Sequence, residues 1–121
     1  MWESIGAKVN VLTPSEHDRI LSLTSHIPHI ISWSYISLFK KIEKTYIAGS
    51  FKDLTRIALS PSTIWKDIFI TNKKYILKDI DRLMKALEKF KKYISKEDER
   101  NIIHFIESAK RKKIELDEKN N

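Results

Sequence analysis

Apolar residues recur at helical spacing along most of the chain. Ile76, Ile80, Leu83, Met84, Leu87 and Ile94 stripe one face of a helix predicted over about 73–94. Ser95-Lys96-Glu97-Asp98 then reads as the start of a last helix, with Ile102, Phe105, Ile106 and Ala109 facing inward. Near the other end, Thr13-Pro14-Ser15-Glu16 is a helix start: Thr13 can cap, Pro14 suits the first position, and Glu16 can close a capping box. That helix should pass Ile20 and kink or break near Pro28. Ser50 reads as an N-cap, with Asp53 in the first turn, for a short helix to about Leu59. Ser60-Pro61 starts another, through Phe69. Lys8 to Leu12 alternates like a short strand or an extended entry, and residues 117–121 are expected to fray. The pattern predicts a single all-α domain of five to six helices, preceded by an entry segment of about a dozen residues.

One stretch departs from the amphipathic pattern. Ile20 to Phe39 holds no Asp, Glu, Lys or Arg. Nine of its twenty residues are Ser, Thr, His or Pro, a density that argues against a membrane span. A helix buried on nearly all sides within protein fits better. A chain of 121 residues has trouble surrounding such a helix alone, so a second subunit or domain is expected to share it.

Composition narrows the function. The two glycines, Gly6 and Gly49, are too far apart for a dinucleotide or phosphate loop. With no Cys there is no disulfide, thiol nucleophile or Cys-zinc site. No signal peptide opens the sequence, so a cytoplasmic setting is expected. The net charge of +7 sits mostly in the second half: residues 61–121 carry sixteen Lys/Arg against eleven Asp/Glu. A basic chain can meet nucleic acid, lipid or acidic metabolites, but charges interleaved as in Lys96-Glu97-Asp98-Glu99-Arg100 describe a solvated helix face.

The candidate chemistry lies elsewhere. His26 and His29 are three apart, and Trp33 is four beyond His29, so all three share one helical face. Two histidines so placed could bind a metal, sit as hydrogen-bonded core residues, or line a ligand pocket. No carboxylate on the same stripe completes a metal set, and none is expected. Asp53 and Arg56 are also three apart and could simply pair on a surface. Arg56, however, stands among Leu54, Ile57 and Leu59, which suits two-pronged recognition of a carboxylate or phosphate. Trp65 could be a core residue or could wall a ring-shaped ligand.

Four segments then carry a family resemblance: His17-Asp18-Arg19-Ile20, Ser25-His26-Ile27-Pro28-His29, Phe51-Lys52-Asp53-Leu54-Thr55-Arg56-Ile57-Ala58, and Ile64-Trp65-Lys66-Asp67-Ile68-Phe69 with Asn72. In this order and spacing they closely resemble the C-terminal domain of prephenate dehydrogenases, over roughly residues 2–115. Trp2 to Ala7 resembles that family's exit from its nucleotide-binding domain. The resemblance implies an oxidoreductase of tyrosine biosynthesis that oxidatively decarboxylates prephenate to 4-hydroxyphenylpyruvate with NAD or NADP. It implies an N-terminal Rossmann domain, absent from this sequence, that binds the cofactor and supplies the catalytic residues. None of those residues is expected here, so this chain alone should not turn over. The helical part dimerises and lends residues to the substrate pocket. Arg56 resembles its carboxylate-binding arginine, His26 and His29 its pocket histidines, Asp53 the acid of an orienting ion pair, and Trp65 a pocket-closing residue. Ser50 stands where the family often has Gly, an Asp is missing after Ser60, and Ile64 replaces a common Met; none of these touches the Arg or the His pair.

Two other readings compete: arogenate dehydrogenase of the same family, and a basic helical module for nucleic acid. The second needs aromatics among exposed Lys and Arg. Here the aromatics and histidines keep to the uncharged stretch, and no nucleic-acid or membrane partner is expected.

Overall fold

A computed structural model describes residues 11–120 of the chain. Most of the alternating segment at 8–12, and the entry segment around it, lie outside the described residues. The elements are α1 (Pro14–Leu21), a π-helical turn (Ser22–His26), α2 (Ile27–Ile36), a 3-10 turn (Lys41–Tyr46), α3 (Gly49–Thr55), α4 (Ser62–Thr71), α5 (Lys73–Ser95) and α6 (Glu99–Asn120). No strand occurs among the described residues, and the all-α expectation holds. None of the described helices is long and apolar enough to cross a membrane.

α1 starts as its sequence predicts. The Thr13 hydroxyl accepts from the Glu16 N–H at 3.0 Å, and the Glu16 carboxylate accepts from the Thr13 N–H at 2.9 Å. That backbone bond from Thr13 is the main reason the Glu16 carboxyl lies below its ordinary range.

The irregularity expected near Pro28, a kink or a break, takes the form of a π-helical turn just ahead of it, and the helix does not end there. α1 passes into a wide turn in which the Ile27 N–H reaches back five residues to the Ser22 carbonyl, and α2 continues with Pro28 in its first turn. A first-turn proline has no N–H to satisfy, and the widened turn ahead of it makes room for the ring. The burial expected along this helix is not met within one chain. Of Ile20 to Phe39, only Ser22, His26, Ile27 and Ser32 are buried, while Leu23 is 50% and Leu38 73% exposed. Too few elements surround the helix to cover it.

α3 corrects the sequence reading at both ends. Its N-cap is Ala48, not Ser50, and it stops at Thr55 rather than Leu59. Turns follow, in which the Ala58 N–H bonds Thr55 and the Ser60 N–H bonds Ile57. α4 has Pro61 as its N-cap and runs two residues past Phe69.

Packing divides the chain into two units, one ending at Ile80 and one beginning at Asp81. In the first, Ile27 and Ile76 are buried, and the Ser15 and Tyr75 hydroxyls bond each other. Phe39 meets Tyr35 at 5.1 Å and Phe51 at 5.0 Å between ring centres, which docks α3 on α2. In the second unit Phe90 stacks on Phe105 at 5.3 Å. α6 continues to Asn120 where fraying from 117 was expected, and Lys113 donates to Asp117 one turn on.

Between α5 and α6 the chain closes with a Schellman motif. The Asp98 N–H bonds the Tyr93 carbonyl and the Glu97 N–H bonds that of Ile94. Glu97 takes the left-handed conformation (φ 52) that favours Gly. Asp98 then caps α6, accepting from the Asn101 N–H at 3.2 Å. Glu97→Gly is expected to raise stability by about 0.5–1 kcal/mol. Asp98→Ala should lower it by about 1 kcal/mol. Urea midpoints check both, and a Glu97→Gly midpoint at or below wild type would contradict the strain assigned there.

Candidate functional site

The α1–α2 helix and α4 bring one histidine–aromatic cluster together. His29 stacks on Trp65 with ring centres 3.6 Å apart and planes 22° from parallel. His26 meets the same indole edge-on at 5.8 Å. Trp33 closes the far side, 6.2 Å from Trp65 and 6.0 Å from Phe69. Each such pair adds about 0.5–1.5 kcal/mol beyond burial, so the cluster holds α4 against α2 firmly. The Trp33 Nε1–H donates to the Ala58 carbonyl at 2.7 Å and ties the turn after α3 to it. A groove of about 560 Å³ opens here, lined by Trp33, Ala58, Ser60, Trp65, Lys66 and Phe69.

His26 lines a second groove, of about 470 Å³, with His17, Asp18, Asp67, Thr71 and Asn72 among others. His17 Nδ1 sits 3.2 Å from the Asp18 carboxylate. Asn72 caps the end of α4 and is buried. Its amide donates to the Asp18 carbonyl at 2.8 Å and lies 3.1 Å from His26 Nδ1. Burial pushes the His26 imidazole below its ordinary range; Asp18 pulls it up, and His29 and His17 push it down. Among the described residues no three His, Cys, Asp or Glu converge as a metal-ligand set.

His26, His29 and Trp65 are therefore brought together, as one helical face and one following helix allow. Arg56 and Asp53 are not part of that cluster. Arg56 is the C-cap of α3 and exposed, and Leu54 and Leu59 beside it are exposed as well, so its surroundings are not the apolar ones read from the sequence. Asp53 is exposed and makes no ion pair with Arg56. The sequence reading gave no role to Phe69 and Asn72. Phe69 is four residues after Trp65, a spacing that signals a shared face. Asn72 is marked only as part of the family resemblance, with no contact to His26 readable from the sequence.

Comparison with known proteins gives a consistent result. The family described as "Prephenate dehydrogenase, dimerization domain" matches residues 13–108. Cyclohexadienyl dehydrogenase of Zymomonas mobilis is 37% identical over 117 residues, covering 90% of this chain and 40% of that protein. Prephenate dehydrogenase of Bacillus subtilis is 35% identical over 105 residues, covering 82% of this chain and 28% of that protein. The chain thus spans less than half the length of these relatives. Among solved structures, prephenate dehydrogenase of Aquifex aeolicus, in complex with hydroxyphenyl propionate and NAD+, superposes with a TM-score of 0.83 at 32% identity, over 95% of this chain and 42% of that one. Arogenate dehydrogenase of Synechocystis shares the fold, with a TM-score of 0.78 at 19% identity over 88% of this chain and 41% of that one.

The low position of His26 has a stability consequence. In the unfolded chain it titrates near 6.5, and in the folded chain lower. Its contribution is therefore fully present above the unfolded value and lost as pH falls through that value towards the folded one. Wild type should lose stability between about pH 7.5 and about pH 5.5 more steeply than His26→Gln. Denaturant midpoints measure this, and equal slopes would contradict it.

Proposed function

Because the chain belongs to the family of prephenate dehydrogenase dimerization domains, we propose that it is the dimerising, substrate-contacting part of such a dehydrogenase. The intact enzyme would oxidatively decarboxylate prephenate to 4-hydroxyphenylpyruvate and pass hydride to NAD or NADP. A nucleotide-binding domain, in the same or a separate chain, would hold the cofactor and the catalytic groups. The reading rests chiefly on the likeness to the Aquifex aeolicus enzyme, which was solved with an aromatic carboxylic acid and NAD+. The chemistry here suits a ligand of that kind. Trp65, braced by the stacked His29, lines a groove and offers an aromatic wall for a ring. Arg56 offers an exposed guanidinium with no hydrogen-bond or ion-pair partner among the described residues.

The Zymomonas relative, named a cyclohexadienyl dehydrogenase, favours a second reading in which arogenate is also accepted. The nucleic-acid alternative fares worse. The lysine-rich groove at Lys85, Lys89, Lys92 and Lys96 has no aromatic residue in its lining on which a base could stack.

In this reading His26, His29 and Trp65 shape the pocket, Arg56 anchors a carboxylate, and Asp53 orients Arg56 once the second domain and subunit are in place. Prephenate has two carboxylates, and a planar fork matches one of them in a way that an ammonium cannot. In the intact two-domain enzyme, Arg56→Ala should raise KM for prephenate by about tenfold or more, and Arg56→Lys nearly as much. Nucleotide affinity and the melting temperature should stay near wild type. A wild-type KM in Arg56→Ala would remove the anchor role.

A further inference from the structure

Asn72 fixes more than the end of α4. Its Nδ2 faces two atoms, the Asp18 carbonyl oxygen at 2.8 Å and His26 Nδ1 at 3.1 Å. A backbone carbonyl only accepts, so the group turned towards it is the NH2, and this settles which way the amide lies. The second hydrogen of that nitrogen points at the imidazole. His26 Nδ1 is therefore the acceptor, and the ring carries its proton on Nε2.

His29 obeys the opposite constraint. Its Nδ1 lies 2.9 Å from the Ser25 carbonyl, four residues back. That nitrogen must donate, so the neutral ring keeps a lone pair on Nε2. Two histidines one turn apart, both against Trp65, thus hold opposite tautomers.

We propose that Asn72 is a positioning residue: it holds His26 as an uncharged ring with its proton on Nε2, a donor in the groove that both residues line, while the Ser25 carbonyl holds His29 in the opposite tautomer. That this donor meets substrate rests on the function proposed above; the tautomer assignment does not. Protonating His26 would set an Nδ1–H against the Asn72 NH2 and break their bond. Asn72 therefore opposes a charge on His26 together with burial, His17 and His29, while the carboxylate of Asp18 favours one. Asp67 lines the same groove. The His26 donor is then neutral, and its contact with an anion does not depend on protonation near neutral pH.

A structural role for Asn72, tying α4 to α1 through the Asp18 carbonyl, predicts a loss of stability and nothing about the ring. Asn72→Asp separates the two. A carboxylate can only accept, so it calls for a hydrogen on His26 Nδ1. The test is a two-bond 1H–15N correlation spectrum of the full chain labelled at its four histidines, with His26→Gln used for assignment. Wild type should show His26 as the Nε2–H tautomer and His29 as Nδ1–H. In Asn72→Asp the His26 proton should move to Nδ1, or the ring should become charged, with its midpoint raised by about one unit or more. Asn72→Ala should leave His26 a mixture of tautomers. A wild-type His26 that is Nδ1–H or mixed overturns the proposal, even if no variant folds. An Asn72→Asp or Asn72→Ala spectrum identical to wild type overturns it as well. If the tautomers are as assigned but Asn72→Asp leaves KM for prephenate unchanged in the intact enzyme, the substrate-contact role fails and the tautomer assignment stands.

Discussion

The site depends on how one helix passes Pro28. A proline offers no N–H to the turn behind it, and an ordinary α-helix would kink or stop. Here the turn from Ser22 to His26 is wound wide, and the helix runs on to Ile36. His29 adds a donor from its own ring, to the Ser25 carbonyl. The segment that solves the proline problem therefore also sets the two histidines. His26 leaves the wide turn towards Asn72, and His29, one turn on, lies flat on Trp65. A straight helix of the same sequence would present its side chains at different angles to α4.

The same helix carries an apolar burden that one chain does not cover. Leu23 and Leu38 are at least half exposed, and Leu54, Leu59, Ile64 and Ile70 on the neighbouring elements are exposed too. In the second unit Leu87, Ile94, Ile103 and Ile114 behave likewise. Scattered exposed leucines need no explanation, but this many on so short a chain call for other surfaces. A second copy and a nucleotide-binding domain are the partners that the proposed function supplies. They would bring the exposed Arg56 into a shared, drier site, where a guanidinium binds a carboxylate more strongly than in water.

Much of the fold was legible because local signals agreed. The Thr13 capping box, the Ile76–Ile94 stripe and the Ser95–Asp98 junction each set a boundary through short-range chemistry. The misses have physical causes. Pro28 signalled a kink or break, but not that a widened turn at Ser22–His26 would carry the helix past it. Leu59 continues the apolar pattern of α3, yet the chain turns after Thr55, where Trp33 holds the Ala58 carbonyl. The sequence placed His26 and His29 on one face, but it did not show which ring nitrogen carries the proton. That depends on Asn72, 46 positions away, and on a backbone carbonyl with no signature in sequence. Arg56 stands out in the sequence for its apolar neighbours, but Leu54 and Leu59 are exposed, so its proposed role rests on the family likeness and not on its surroundings.

If the apolar surface of this chain is shared with a second copy, the assembly has a definite mass. Light scattering coupled to size exclusion, at tens of micromolar chain and moderate salt, measures it directly. The account predicts a single species of twice the 14.3 kDa chain mass that persists on roughly tenfold dilution, as a contact of about 2,000 Å² or more should. A species of 14.3 kDa throughout would contradict it.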